Sequence, residues 1–297
     1  MAPLPKHPFD DRDGVIWHDG RLVPWRDCTL HVLSHGLHYA SSVFEGERVY
    51  NGTVFKLRAH TERLQASAAA LGFAIPFTTE QIESATAELL AANGMREGYV
   101  RPVAWRGSEM MGVAAQSARV HLAIACWDDW VSYFNPQSRL RGLRLTVAPW
   151  RRPHPETAPT RAKAAGLYMI CTLSKHQAEQ EGYDDALMLD WREQVAEATG
   201  ANIFMVFEGA LHTPTPECIL NGITRQTVIA LAQQRGITVV ERAIAFEELA
   251  QASEVFLTGT AAEVTPVREI GPYTFTPGTV TQQMIADYDA LVGRRSS

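Results

Sequence analysis

Residues 131–142 read Val131-Ser-Tyr-Phe-Asn-Pro-Gln-Ser-Arg-Leu-Arg-Gly142, and the next five read Leu143-Arg-Leu-Thr-Val147. The first stretch is polar and aperiodic around Asn135-Pro136, which reads as a linker. The second alternates apolar and polar residues with the period of a strand. Together they divide the chain into an N-terminal domain over 1–130, a linker over 131–142 and a C-terminal domain over 143–297.

Upstream of the linker, Asp19-Gly20 and Asn51-Gly52 carry the strongest two-residue hairpin signals. They join Val15 to Val23 as two short strands, and Ser42–Tyr50 to Thr53–Lys56. A helix is expected from Thr61 to Leu71, with Gly72 behind it. A second opens at the capping box Thr78-x-x-Gln81 and ends at Asn93-Gly94. Strands follow at Tyr99–Trp105 and Val120–Trp127. Downstream, helices are expected at Leu167–Glu181, Thr224–Arg235, Phe246–Ala252 and Thr281–Val292. Strands are expected at Ala186–Asp190, Ile203–Phe207, Leu211–Thr213, Ile237–Arg242 and Val255–Thr258. The fold class is α+β in two domains, with ligands expected in a cleft between them.

Of the 297 residues 46% are hydrophobic and 20% charged, enough to bury a sizeable core. A net charge of −6 disfavours nucleic acid and anionic membrane as partners. No apolar run reaches the about 18 residues of a membrane span, and the first six residues lack a signal-peptide pattern. Cys28, Cys126, Cys171 and Cys218 are scattered, as reduced thiols of a cytoplasmic protein would be.

No G-x-S-x-G, Walker loop, G-x-G-x-x-G or H-E-x-x-H occurs. His31, His35 and His38 lack an acidic or thiol companion and read as structural histidines, so no metal is expected. Only four of the 27 basic residues are lysines, so chemistry that needs an amine has few candidates. Lys163, in Arg161-Ala-Lys-Ala-Ala-Gly-Leu-Tyr168, has small apolar neighbours. It reads either as a Schiff-base lysine or as a solvated one. Asn221-Gly-Ile-Thr-Arg225 precedes an amphipathic helix and is either an ordinary helix start or a phosphate site. Thr258-Gly-Thr-Ala-Ala262 leaves the same choice. Tyr99 and Arg101 share a strand face, and Arg101 needs an anion that is either an internal carboxylate or a substrate.

His35-Gly-Leu-His-Tyr39, Phe44-Glu-Gly46, Glu62-Arg-Leu64, Tyr99-Val-Arg101, Met111-Gly-Val113, Lys163 to Tyr168, Glu197 to Asn202, Asn221 to Arg225 and Gly259-Thr-Ala-Ala-Glu263 occur in this order. The set resembles the fold type IV pyridoxal-phosphate enzymes, and among them the bacterial branched-chain amino-acid aminotransferases, from about Gly14 to the C-terminus. The resemblance implies pyridoxal 5'-phosphate as cofactor, bound between the two domains. It makes Lys163 the Schiff-base lysine and proton shuttle, and Glu197 the carboxylate facing the pyridine nitrogen. Tyr168 would meet the ring hydroxyl, and Arg63, Ile223, Thr224 and Thr260 the phosphate.

The resemblance also implies a substrate pocket. Tyr99 and the Thr260-Ala261 amides would receive the α-carboxylate, and Arg101 the distal carboxylate of glutamate. Phe44, Gly46 and Trp130, with Tyr39 and Val113 from a second subunit, would enclose the side chain. The implied reaction moves an amino group between leucine, isoleucine or valine and 2-oxoglutarate in a homodimer. Ala201 departs from the pattern, which usually carries a second acidic residue there. Same-fold alternatives are D-amino-acid or (R)-amine transamination and aminodeoxychorismate lysis; a non-catalytic binding protein is the remaining class.

Overall fold

The computed structural model describes residues 8–128 and 138–293. Of the expected linker, 131–137 lie outside the described residues, and Ser138–Arg141 form a short helix, α4. The chain divides into two compact units, Met1–Val131 with Ala162–Leu167, and Ser132–Arg161 with Tyr168–Ser297.

The first unit is built from β1 (Val15–His18), β2 (Arg21–Pro24), α1 (His35–Tyr39), β3 (Ser42–Phe44), β4 (Glu47–Tyr50), β5 (Thr53–Val54), α2 (Leu57–Ala70), α3 (Thr79–Ala92), β6 (Gly98–Arg106) and β7 (Val120–Trp127). Its sheet has the order β2-β1-β7-β6-β4-β5, with β3 also on β6. Both expected hairpins form, and their turn residues take the left-handed backbone such turns require: Asp19 at φ 47° with Gly20 at 95°, and Asn51 at 52° with Gly52 at 79°. The capping box closes as expected, Thr78 accepting from Gln81 N–H at 3.3 Å while Gln81 accepts from Thr78 N–H at 2.8 Å. Leu64 and Ala68 of α2 and Ile82 and Leu89 of α3 pack on Val49, Val100, Leu122 and Ile124 of the sheet.

Helix α2 starts at Leu57, earlier than expected, because Lys56 turns left-handed at φ 52° and begins it directly after β5. The expected strand Ser42–Tyr50 is broken at Glu45-Gly46, and both halves pair with β6. A Cβ on Gly46 would lie 1.8 Å from the Tyr99 hydroxyl, so the chain can cross Tyr99 there only as glycine.

The second unit holds β8 (Leu143–Val147), α5 (Tyr168–Gln180), β9 (Asp185–Leu189), β10 (Val195–Ala198), β11 (Asn202–Phe207), β12 (Ala210–Thr213), α6 (Ile223–Gln234), β13 (Val239–Glu241), β14 (Glu254–Gly259), β15 (Glu263–Ile270), β16 (Tyr273–Thr274) and α7 (Thr279–Leu291). The sheet order is β10-β9-β8-β15-β14-β11-β12-β13, with β16 on β15. Leu145, Leu187, Ile203, Leu257 and Val267 lie in its core. Strands β10, β15 and β16 were not expected from the sequence. In β15 the signal is hidden by Pro266, which normally argues against a central strand. Pro266 stands one residue before the pairing with β8 begins at Val267, so its missing N–H forfeits no bond on that side.

Candidate active site

Two groups of candidate side chains form, one in each unit. In the first unit, Ala162-Lys163-Ala164 runs beside β3. Phe44 N–H donates to the Lys163 carbonyl at 3.1 Å, Lys163 N–H donates to Ser67 Oγ at 3.0 Å, and Val43 bridges Ala164. Ala162 and Ala164 are buried, while Lys163 between them is partly exposed. Its Nζ lies 5.2 Å from the Phe44 ring centroid. The Arg101 guanidinium carbon lies 4.8 Å from the same centroid and 5.4 Å from that of Tyr99. Arg101 Nη2 donates weakly to the Tyr99 hydroxyl at 3.4 Å, while its Nε is buried without an acceptor. Among the described residues no carboxylate pairs with Arg101.

Behind this group stands Glu45, fully buried. Arg63 clasps it through Nε at 2.7 Å and Nη2 at 2.8 Å, and His60 Nδ1 donates to it at 2.7 Å. Burial alone would raise the Glu45 carboxyl, but the Arg63 charge and the hydrogen bonds from Arg63 and His60 hold it well below the carboxylate range. Burial pushes His60 down despite Glu45, which fits a neutral ring donating from Nδ1. Glu47, next on β4, is pushed well above the ordinary value by burial and then by the Glu45 charge. Neither Glu45 nor His60 was singled out from the sequence; only contact reveals them.

In the second unit, a bulge in β10 between Val195 and Glu197 re-aims Glu197. Arg152 Nε lies 3.2 Å from Glu197 Oε1, and Asn202 Nδ2 donates to Oε2 at 3.2 Å. Asn202 also donates to Leu220 O at 2.9 Å, and its Oδ1 fills the space a Cβ on Gly222 would need. Gly222 therefore serves both Asn202 and the start of α6. No side chain caps α6, and its first helical bond runs from Gln226 N–H to Gly222 O. The N–H groups of Ile223, Thr224 and Arg225 are thus without helical acceptors. Thr258, paired with Asn202 across β11 and β14, has a buried Oγ1 with no partner. Thr260 and Ala261 form the turn that follows, and Ala201 lies 3.5 Å from where a Cβ on Gly259 would stand. Tyr168 opens α5, packed on Cys171 and Met188.

The structure therefore gathers Phe44, Gly46, Tyr99, Arg101 and Lys163 in one unit, and Glu197, Ile223 and Thr224 in the other, near the turn that carries Thr260 and Ala261. Trp130 lies outside the described residues. Tyr39 and Val113 lie on the surface, 44% and 88% exposed. The histidines near α1 are engaged by backbone: His35 Nε2 with Gly112 O at 2.9 Å and His38 Nε2 with Val32 O at 2.8 Å, while His31 Nδ1 accepts from Leu33 N–H. A different trio, His18, Asp19 and His121, brings three ligand atoms together. Its imidazoles stack within 12° of parallel and His121 donates to Asp19 at 2.6 Å, an arrangement that fastens the first hairpin. Burial pushes the thiols of Cys126 and Cys218 up to about 12 and that of Cys171 to about 11.

The amino-transferase class IV family matches residues 42–270, a span that takes in Phe44, Lys163, Glu197 and the Thr260 turn. The chain is 44% identical to the branched-chain-amino-acid aminotransferase of Pseudomonas aeruginosa over 264 residues, 88% of this chain and 86% of that one. The branched-chain aminotransferase of the archaeon Thermoproteus uzoniensis, solved with norvaline, superposes with a TM-score of 0.90 at 38% identity, over 95% of both chains. The branched-chain amino acid aminotransferase of Thermobaculum terrenum, solved in its PLP form, gives 0.86 at 32%, again over 95% of both. The chain belongs to the class IV aminotransferases, within their branched-chain-amino-acid group.

Proposed function

We infer that the chain is a pyridoxal-phosphate-dependent transaminase that moves the amino group between L-leucine, L-isoleucine or L-valine and 2-oxoglutarate. The observation that carries the substrate reading is one aromatic wall: Lys163 and Arg101 both stand over the Phe44 ring. An apolar wall accepts a branched side chain, and an arginine with a buried, unsatisfied Nε receives the distal carboxylate of glutamate.

The residues fit the cofactor. Three N–H groups without helical acceptors at the start of a 12-residue helix suit a phosphate. Bound pyridoxal phosphate supplies an electron-withdrawing ring that accepts the charge left when the α-proton departs. With it bound, Lys163 would take that proton and return it, Glu197 would face the ring nitrogen, and Tyr168 would meet the ring hydroxyl. Ile223, Thr224 and Thr260 would hold the phosphate; the resemblance gives Arg63 the same ligand, and Glu45 fixes its plane. The resemblance gives the α-carboxylate to Tyr99 and to the Thr260 and Ala261 amides.

The active form is a homodimer. Leu30, Val32, Leu33, Leu37, Tyr39 and Val113 are exposed, between 44% and 88%, and a second copy would cover them while lending Tyr39 and Val113 to the pocket. The four cysteines form no disulfide among the described residues, which supports a cytoplasmic setting; no helix among the described residues is long and apolar enough to cross a membrane.

An amino-donor panel in both enantiomers with 2-oxoglutarate tests the reading. Turnover is expected with the three L-branched-chain acids, and a preference for D-amino acids or (R)-amines overturns it. Borohydride reduction and peptide mapping should find the pyridoxyl adduct on Lys163; an adduct on Lys56 or Lys175 removes Lys163 from its role.

A further inference from the structure

We propose that Arg152 and Asn202 are positioning residues that hold Glu197 as a fixed, ionised hydrogen-bond acceptor and thereby keep the proton on the cofactor's ring nitrogen. The proposal rests on the reading above that Glu197 faces that nitrogen. A carboxylic acid and a carboxylate are both able to meet a pyridine, but with the proton on opposite partners. Which form prevails depends on what else touches the carboxyl group.

Here each oxygen of Glu197 has its own partner. The Arg152 charge sits 3.2 Å from Oε1 and the Asn202 amide 3.2 Å from Oε2. A cation beside one oxygen favours the ionised form, and a donor on the other favours it again. Glu197 is then an acceptor, so the proton between it and the ring nitrogen stays on nitrogen.

Arg152 is itself held in place. It is 4% exposed, its backbone N–H donates to Leu189 O at 2.8 Å, and its Nε donates to Cys218 O at 3.2 Å. Glu197 is its only carboxylate among the described residues. The nearby Cys171 Sγ, 3.7 Å from Nη1, belongs to a thiol that burial keeps protonated, so no second anion competes for the guanidinium. Asn202 is fixed from its other end by Leu220 O and by the space Gly222 leaves for Oδ1. Both partners are rigidly held, and both act on the same carboxylate.

The test is the ring-nitrogen resonance of holoenzyme reconstituted with pyridoxal phosphate labelled with 15N at that nitrogen, in parent, Glu197→Gln, Arg152→Gln and Arg152→Lys proteins. The parent should show a protonated nitrogen and Glu197→Gln an unprotonated one. Arg152→Gln should move the resonance toward the unprotonated position, and Arg152→Lys, which keeps the charge, should move it less. With it, kcat should fall on the order of 10- to 100-fold for Arg152→Gln, the scale seen for partners that orient a functional ligand, with KM for leucine little changed. Parent and Arg152→Gln resonances that coincide overturn the proposal while leaving the Glu197 role intact. An unmoved resonance in Glu197→Gln overturns that role instead. If Arg152→Gln does not fold, Asn202→Ala, which removes one donor and no charge, should shift the resonance in the same direction, and no shift there overturns the proposal.

Discussion

Glu45 in the first unit and Glu197 in the second both stand beside an arginine, yet they are held in different ways. Glu45 is sealed: its side chain is fully buried, and Arg63 and His60 donate to it at 2.7 to 2.8 Å. Glu197 is held more loosely, with a partner at 3.2 Å on each oxygen and 11% of its side chain exposed. A carboxylate gripped bidentately at short range is a joint, here between the β3–β4 break and α2. One held at longer range, with part of its surface open, is available to a ligand. Mutation should therefore hurt stability in the first case and chemistry in the second.

The largest effect expected is at Glu197. Glu197→Gln removes the charge that would keep the ring nitrogen protonated, so the ring would draw off less of the negative charge left by the α-proton, and kcat should fall on the order of 10²–10³-fold. Thermal stability should fall as well, because Arg152 keeps its buried charge without a carboxylate, so turnover is the quantity that separates Glu197 from Glu45. Near-normal turnover with a lowered Tm would reverse the comparison, making Glu197 the structural carboxylate.

Glu45→Gln should show the complementary pattern. Breaking one side of a buried ion pair costs about 3–5 kcal/mol, since Arg63 keeps its charge without its partner. The sign with pH is fixed by the direction of the shift. The folded carboxyl is depressed, so its contribution is full above the ordinary carboxylate range and is lost as pH falls through the folded value. The stability gap between parent and Glu45→Gln should therefore narrow in acid. A gap that does not depend on pH would mean packing, not charge, holds this joint. Loss of cofactor on dialysis should also quicken, because Arg63 loses its fixed plane.

Legibility from sequence followed a similar divide. Periodicity and turn chemistry located most strands and helices, because those signals are local. Hairpins at Asp19-Gly20 and Asn51-Gly52 and the capping box at Thr78 need only about four neighbouring residues. Strand β15 was hidden because Pro266 signals a break, and only its place beside β8 makes it tolerable. The motifs also pointed to Lys163, Arg101 and Glu197 by resemblance. Their supports, Glu45, His60, Arg152 and Asn202, were not singled out. Glu45 meets Arg63 18 residues away, and α5 and β9 separate Arg152 from Glu197 along the chain, distances that leave no local pattern.

Arg101 sharpens the comparison from a third position, an arginine with aromatic faces and no carboxylate among the described residues. Arg101→Met should cut the glutamate half-reaction about 10- to 150-fold, the worth of a charge-assisted hydrogen bond of about 1.5–3 kcal/mol. The leucine half-reaction makes no such contact and should fall much less. Single-turnover measurements with each substrate separate the two. Equal losses would show that Arg101 is a structural cation like Arg63.

The smallest effect expected is at Glu47, and it probes how firmly Glu45 holds its charge. Glu47 is 1% exposed, one of its oxygens has no partner, and burial together with the Glu45 charge pushes it well above the ordinary carboxylate value. A group whose folded value is raised binds its proton more tightly when folded. Its contribution is therefore present below the unfolded carboxylate value of about 4.3 and is lost as pH rises through the folded value. Above that value the folded state must either keep a proton the solvent would remove or bury a second negative charge beside Glu45. Glu47→Gln removes that choice while preserving shape. The variant should match the parent near pH 4 and exceed it at pH 8 by a few degrees in Tm, the scale of about 1 kcal/mol. An advantage that is the same at both pH values would mean that Glu47 is ionised throughout, and that the positive charge of Arg63 is shared between two carboxylates and is not committed to Glu45.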